Sequence, residues 1–185
     1  MHDVTQALCP HFVALDLDAA SRWEALHAVS TLIGMAGQVN GATAFRALWR
    51  REKAASTAVG KGFAIPHARI TGISEPLTMY ARARSPLDFA APDHKPVSEM
   101  FVILVPADGD NAAHLALLAL VAEAFSEPAL RTQLAAASRP QDVRAAITAW
   151  AGARHGETVV RAPEDASRAR GSVERRGASA GNVSA

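Results

Sequence analysis

The stretch Gly60-Lys61-Gly62-Phe63-Ala64-Ile65-Pro66-His67-Ala68-Arg69 decides how this chain is read. Its glycines permit tight turns and close backbone approach. Phe63-Ala64-Ile65 is a short apolar run of the kind found in buried strands. Pro66 fixes its own φ and biases Ile65 toward extended geometry. The expectation is a strand that ends in a presented imidazole. Histidine serves readily as a nucleophile near neutral pH, so His67 is the first candidate for chemistry. A partly buried histidine that only hydrogen-bonds a neighbour is the plain alternative.

Outward from this stretch the pattern changes from strand to helix on both sides. Upstream, a helix is expected from about Ala19 to Ala36 after Asp18 as N-cap, with Trp23, Leu26, Leu32 and Ile33 near one face. A second follows Asn40 with Phe45, Leu48 and Trp49 as its apolar stripe, and ends in Arg50-Arg51-Glu52-Lys53. Downstream, Leu77–Ala83 and Glu99–Val105 read as strands. The continuous run Met100-Phe101-Val102-Ile103-Leu104-Val105 suits a strand buried on both faces. Ala90 to Pro96 reads as a turn-rich connection. Three helices are expected after Pro106: from Asp110 or Asn111 to Phe125, from Pro128 to Ala137, and from Pro140 to Trp150. Helices at both ends with strands between them imply one α/β domain with helices covering a sheet. That domain spans residues 1–151. Residues 152–185 have no aromatic residue and no apolar period, and are expected to form a disordered tail.

Composition narrows the partners. The formal net charge is +1, which gives no general case for nucleic acid or an anionic membrane. Cys9 is the single cysteine, which excludes an internal disulfide and a thiolate metal cluster and fits a reducing compartment. The start has no signal-peptide order, and the longest apolar run, within Leu115–Val121, is far short of a membrane span. A soluble cytoplasmic protein is expected. No P-loop, nucleophile-elbow serine or paired-histidine motif occurs, so neither a nucleotide, a metal nor another cofactor is implied.

Four more positions are candidates. His114 lies in the first turn of the helix after Asn111, where the free N–H groups favour anions; Leu115, Leu118 and Phe125 of that helix are expected to face the core. From its position alone, His114 reads equally as an idle surface histidine. Arg51 closes the second helix, and its fork suits phosphate oxygens, although a solvated helix end is the usual fate of such a cluster. Ser56 and Thr57 are candidate donors to a bound anion, or caps of the next turn. Glu123 reads as a solvated face residue.

The order Arg51-Glu52-Lys53, Ser56-Thr57, Gly60, Gly62-Phe63-Ala64-Ile65-Pro66-His67, and then Leu104-Val105-Pro106-Ala107 with His114-Leu115, resembles a known family. These are the fructose/mannitol-type IIA components of the bacterial phosphoenolpyruvate-dependent phosphotransferase system, and the pattern is nearest to the stand-alone nitrogen-regulatory branch. The resemblance covers roughly residues 5–150. It implies a mixed sheet flanked by helices, with the histidine in a shallow cleft. It implies that His67 takes a phosphoryl group from the phosphohistidine of an HPr-like carrier, that His114 positions the phosphoryl oxygens, and that Arg51 stabilises their charge. Ala55, Ala58 and Ala68 stand where that family usually has glycine, and Ala116 where the nitrogen-regulatory branch often has another histidine. Three roles follow: a nitrogen-regulatory carrier that binds target proteins according to its phosphorylation, a sugar-specific IIA that passes phosphate to a separate IIB, or a non-catalytic binding module on the same fold.

Overall fold

The computed structural model describes the backbone of residues 7–160 and the side chains of 7–154. In chain order the elements are β1 (Phe12–Leu17), α1 (Arg22–Met35), α2 (Gly41–Ala54), β2 (Ala58–Gly60), β3 (Phe63–Ala64), β4 (His67–Ile70), β5 (Leu77–Leu87), β6 (Val97–Pro106), α3 (Asn111–Ala124), α4 (Pro128–Ala136) and α5 (Pro140–Val160). The sheet runs β1-β5-β6-β3-β2, with β4 also on β6. It is mixed: β1 is parallel to β5, β5 antiparallel to β6, β3 and β4 parallel to β6, and β2 antiparallel to β3.

The central strand explains its own sequence. Met100, Val102 and Leu104 face a core closed by Val29, Ile33 and Leu48 of α1 and α2. Phe101, Ile103 and Val105 face the opposite core, built with Leu117, Val121, Leu134 and Ile147 of α3, α4 and α5. Successive strand side chains alternate faces, so helices on both sides require an unbroken apolar run. Phe125 stacks on Phe63 with ring centroids 4.1 Å apart, locking the exit of α3 to the start of β3.

Several expectations change. His67 does not end a strand: it opens β4. Phe63 pairs with Glu99 and His67 with Ile103, so β3 and β4 lie on β6 in one register, interrupted by Ile65-Pro66. Pro66 has no N–H for the ladder, but its carbonyl accepts from Ile103 N–H at 2.9 Å. Helix α1 starts at Arg22, because Ser21 rather than Asp18 accepts from the Glu24 N–H, while Glu24 reaches back to the Ala20 N–H. The strands β1 and β2 are additional to those expected. Leu115 is 66% exposed; Leu117, Val121 and Ala124 are the buried residues of α3. That helix is apolar almost all round, so its period does not mark the inner face. Helix α5 continues to Val160 instead of stopping near Trp150, so residues 152–160, expected in the tail, are helical. A glycine such as Gly152 costs a helix only about 1 kcal/mol relative to alanine, too little to end it. The rest of the expected tail lies outside the described residues. No single helix among the described residues is long and apolar enough to cross a membrane.

Candidate functional site

Three elements meet at the site: the start of β4, the last turn of α2 and the first turn of α3. His67 is half-buried at the head of β4. Its Nδ1 lies 2.8 Å from the carbonyl oxygen of Ile65. A carbonyl only accepts, so Nδ1 carries the hydrogen and Nε2 keeps its lone pair. Nε2 accepts from Arg51 Nε–H at 3.1 Å. Arg51 is held in turn by donating from Nη1 to the carbonyl of Ala55, just past the end of α2, at 2.8 Å.

His114 comes from the first turn of α3, which Asp110 caps by accepting from Ala112 N–H at 2.9 Å. Its ring meets that of His67 edge to face, with centroids 5.7 Å apart and planes at 72°. The Nε2 of His114 is buried and has no hydrogen-bond partner among the described residues. Both imidazoles are held below the ordinary histidine value. For His67 burial is the main cause, with the Arg51 charge acting in the same direction and the Ile65 carbonyl opposing it. For His114 burial again leads, followed by His67 and Arg69. The site therefore presents an uncharged nitrogen nucleophile, a guanidinium beside it, and a second imidazole with an unused nitrogen. That set suits an electrophile surrounded by negatively charged oxygens.

Of the two alternatives for Ser56 and Thr57, Ser56 takes the turn-capping one, and both hydroxyls donate to protein acceptors. Thr57 is buried and donates from both N–H and Oγ1 to the buried carboxylate of Glu52, at 3.0 and 2.5 Å. Ser56 donates to the carbonyl of Phe89 and accepts from Ala58 N–H. These bonds shape the wall between α2 and β2 and already engage both hydroxyl protons. Glu123 is exposed and pairs with Arg154. Arg69 was missed by the sequence reading: its side chain reaches the loop that leads into α3. Its place two residues after His67 in a strand is the signal that marks it for this face.

A family model described as "Phosphoenolpyruvate-dependent sugar phosphotransferase system, EIIA 2" matches residues 7–150. The chain belongs to this family. Among its EIIA 2 relatives, the fructose-specific EIIA component of Haloferax volcanii is 33% identical over 143 residues, covering 77% of this chain and 92% of that protein. The nitrogen regulatory protein of Bradyrhizobium diazoefficiens is 30% identical over 140 residues, 76% of this chain and 91% of that one. The solved nitrogen regulatory protein IIA-Ntr of Neisseria meningitidis superposes with a TM-score of 0.69 at 32% identity, over 78% of this chain and 94% of that structure. EIIA 2 proteins are phosphotransferase components, so a general phosphoryl-transfer role comes with the family.

Proposed function

We propose that this EIIA 2 protein is a phosphohistidine carrier that accepts a phosphoryl group on Nε2 of His67 from the phosphohistidine of an HPr-like protein. The observation that carries the reading is the two-sided hold on the imidazole: Nδ1 against the Ile65 carbonyl, Nε2 toward Arg51. The donor's P–N bond breaks as the Nε2–P bond forms, and the electron pair of the broken bond stays on the donor imidazole. Arg51 Nε–H is released from the ring nitrogen and turns to a phosphoryl oxygen, and the unused Nε2 of His114 takes another. Exchange between two imidazoles is close to symmetric, so catalysis is mostly positioning and charge neutralisation. Among the described residues, Arg51, His114 and the α3 N-terminus supply those terms. The donor is a protein, which fits a half-buried imidazole at a strand end. Such a carrier works in the cytoplasm.

Of the downstream roles, nitrogen-regulatory action through phosphorylation-dependent binding of target proteins is favoured. Support comes from the Neisseria and Bradyrhizobium proteins, which the chain matches over nine-tenths of their length. The Haloferax fructose-specific component, matched to the same extent, supports the second reading, a sugar IIA that passes phosphate to a separate IIB.

The test is to incubate the purified protein with phosphoenolpyruvate, Enzyme I and an HPr-like carrier, and to follow acid-labile, base-stable phosphate. Labelling is expected, and its loss in His67→Ala. In His114→Ala labelling should persist but slow by roughly a hundredfold, the size of effect seen when one charge-stabilising donor is removed. A wild-type protein that stays unlabelled with every carrier tried overturns the reading. Onward transfer of label to a sugar IIB would select the second role.

A further inference from the structure

We propose that Arg69 is the positioning residue that couples the two histidines, by fastening the loop that launches α3 to the strand that carries His67. The functional half of this inference rests on the phosphoryl-carrier reading; the structural half does not.

Arg69 and His67 leave the same face of β4, with buried Ala68 between them. The Arg69 guanidinium spans the whole turn from β6 to α3. Nη1 donates toward the carbonyls of Pro106 and Ala107, each at 3.3 Å, and to that of Gly109 at 2.9 Å. Nη2 donates to Asn111 Oδ1 at 2.6 Å. Pro106 is the last residue of β6 and Asn111 the first of α3, so one side chain joins both ends of the turn. The backbone adds two ties there: Ala107 N–H to Ile70 C=O at 2.8 Å, and Gly109 N–H to Pro106 C=O at 3.2 Å. His114 lies within the first turn beyond Asn111, and no described residue bonds its Nε2. What fixes the His114 ring is therefore the placement of that turn together with its packing on His67.

The chemistry needs the guanidinium. Its planar fork reaches several acceptors in fixed directions, whereas a lysine ammonium is a compact point charge on a flexible stem. The Arg69 charge also faces His114 and helps to keep that ring uncharged, after burial and His67. Arg69 and His114 line a cavity of about 460 Å³ together with Leu117 and with His11, Glu75 and Asp110, the other titratable groups in its lining. A displacement of about 1 Å at a reacting centre can cost a hundredfold in rate, which is why a clasp outside the reacting atoms matters.

The experiment compares wild type, Arg69→Met and Arg69→Lys by two readouts that need no phosphoryl donor, and one that does. The first is amide hydrogen exchange at Ala112 and His114; the second is the NMR titration of the His114 ring; the third is single-turnover transfer from the carrier. In Arg69→Met exchange should quicken, His114 should titrate at higher pH, and transfer at saturating carrier should fall roughly tenfold or more, with the half-saturating carrier concentration unchanged. Arg69→Lys should keep the His114 titration, because the charge remains, yet still exchange faster and transfer more slowly. Wild-type exchange and transfer in Arg69→Met overturn the proposal, as does a loss confined to carrier affinity. Should Arg69→Met fail to fold, Arg69→Lys and Asn111→Ala carry the same comparison. If the wild type accepts no phosphoryl group at all, the carrier reading falls, while exchange and titration still decide whether Arg69 holds His114.

Discussion

His67 is restrained at both ring nitrogens, and the two restraints do different work. The Ile65 carbonyl selects the tautomer, and Arg51 points a charge at the lone pair that the proposed transfer uses. Burial and that charge move the ring below the ordinary histidine value of 6.5, so the nucleophile stays unprotonated into mildly acid solution. The sign follows directly: a lowered value extends the active form downward in pH. Phosphoryl acceptance should therefore decline, as the pH falls from 8, with a midpoint below the ordinary histidine value of 6.5. The check is a pH–rate profile beside an NMR titration of the His67 ring; an inflection at or above the ordinary value contradicts the arrangement. That His67, His114 and Arg51 belong together was legible only through the family resemblance, since residue type and position alone left His114 equally an idle surface histidine and Arg51 a solvated helix end; the structure sets the three side chains side by side. The acceptor of the Ser56 hydroxyl was not legible, since the Phe89 carbonyl lies 33 residues along the chain, whereas the Ser56 cap on Ala58 N–H was one of the expected alternatives. Arg69 was hidden for the same reason, its acceptors lying 37 to 42 residues along the chain.

Helix α2 brings Arg51 to the site, and its position is set at its other end by the crossing with α1. At Gly34 an added Cβ would stand 2.8 Å from Gly41 N and 2.9 Å from Gly41 Cα. Those are backbone atoms, so the helices must part rather than let a side chain swing aside. Gly34→Ala is expected to cost about 1–3 kcal/mol, as overpacking typically does, despite the better helix propensity of alanine. Gly152 in α5 has open space around its Cβ position, and Gly152→Ala should instead stabilise by up to about 1 kcal/mol. Denaturant midpoints of the two variants, read against wild type, check both; a Gly34→Ala protein as stable as wild type would show that the crossing is not tight. The elements themselves were legible where local signals agreed, as in the unbroken apolar run of β6 and at the proline-opened starts of α4 and α5. They were misread where local signals competed. The split of β3 from β4 depends on pairing with β6 across Ile65-Pro66, and the inner face of α3 on which leucines meet the sheet.

A sheet with a core on each face was legible from the order of helices and strands, but the strand order was not. The pairing of β1 with β5 joins Phe12 to Met79, and no local period announces a contact between such distant segments. The fold also carries a cost that depends on pH. His11, His67 and His114 are all held below the ordinary histidine value in the folded protein, burial being the leading cause in each. In the unfolded chain these rings bind protons near pH 6.5, before their folded counterparts do. The unfolded state thus binds more protons in that range, and stability rises with pH through it. It is fully present above the unfolded value, is lost as the pH falls below it, and levels off once the folded rings are protonated too. Asp93 and Asp142, which are held below the ordinary carboxylate value of 3.8, lose their contributions only in more acid solution and leave this window clear. The thermal midpoint should accordingly be flat from pH 8 to 7.5 and drop between about pH 7 and 5.5, the range flanking the ordinary histidine value. The drop should be smaller in a His67→Asn, His114→Asn double variant, which removes two of the three rings. A midpoint that holds or rises on acidification through this range would mean that the rings are not buried uncharged, and would remove the basis for a neutral nucleophile at His67.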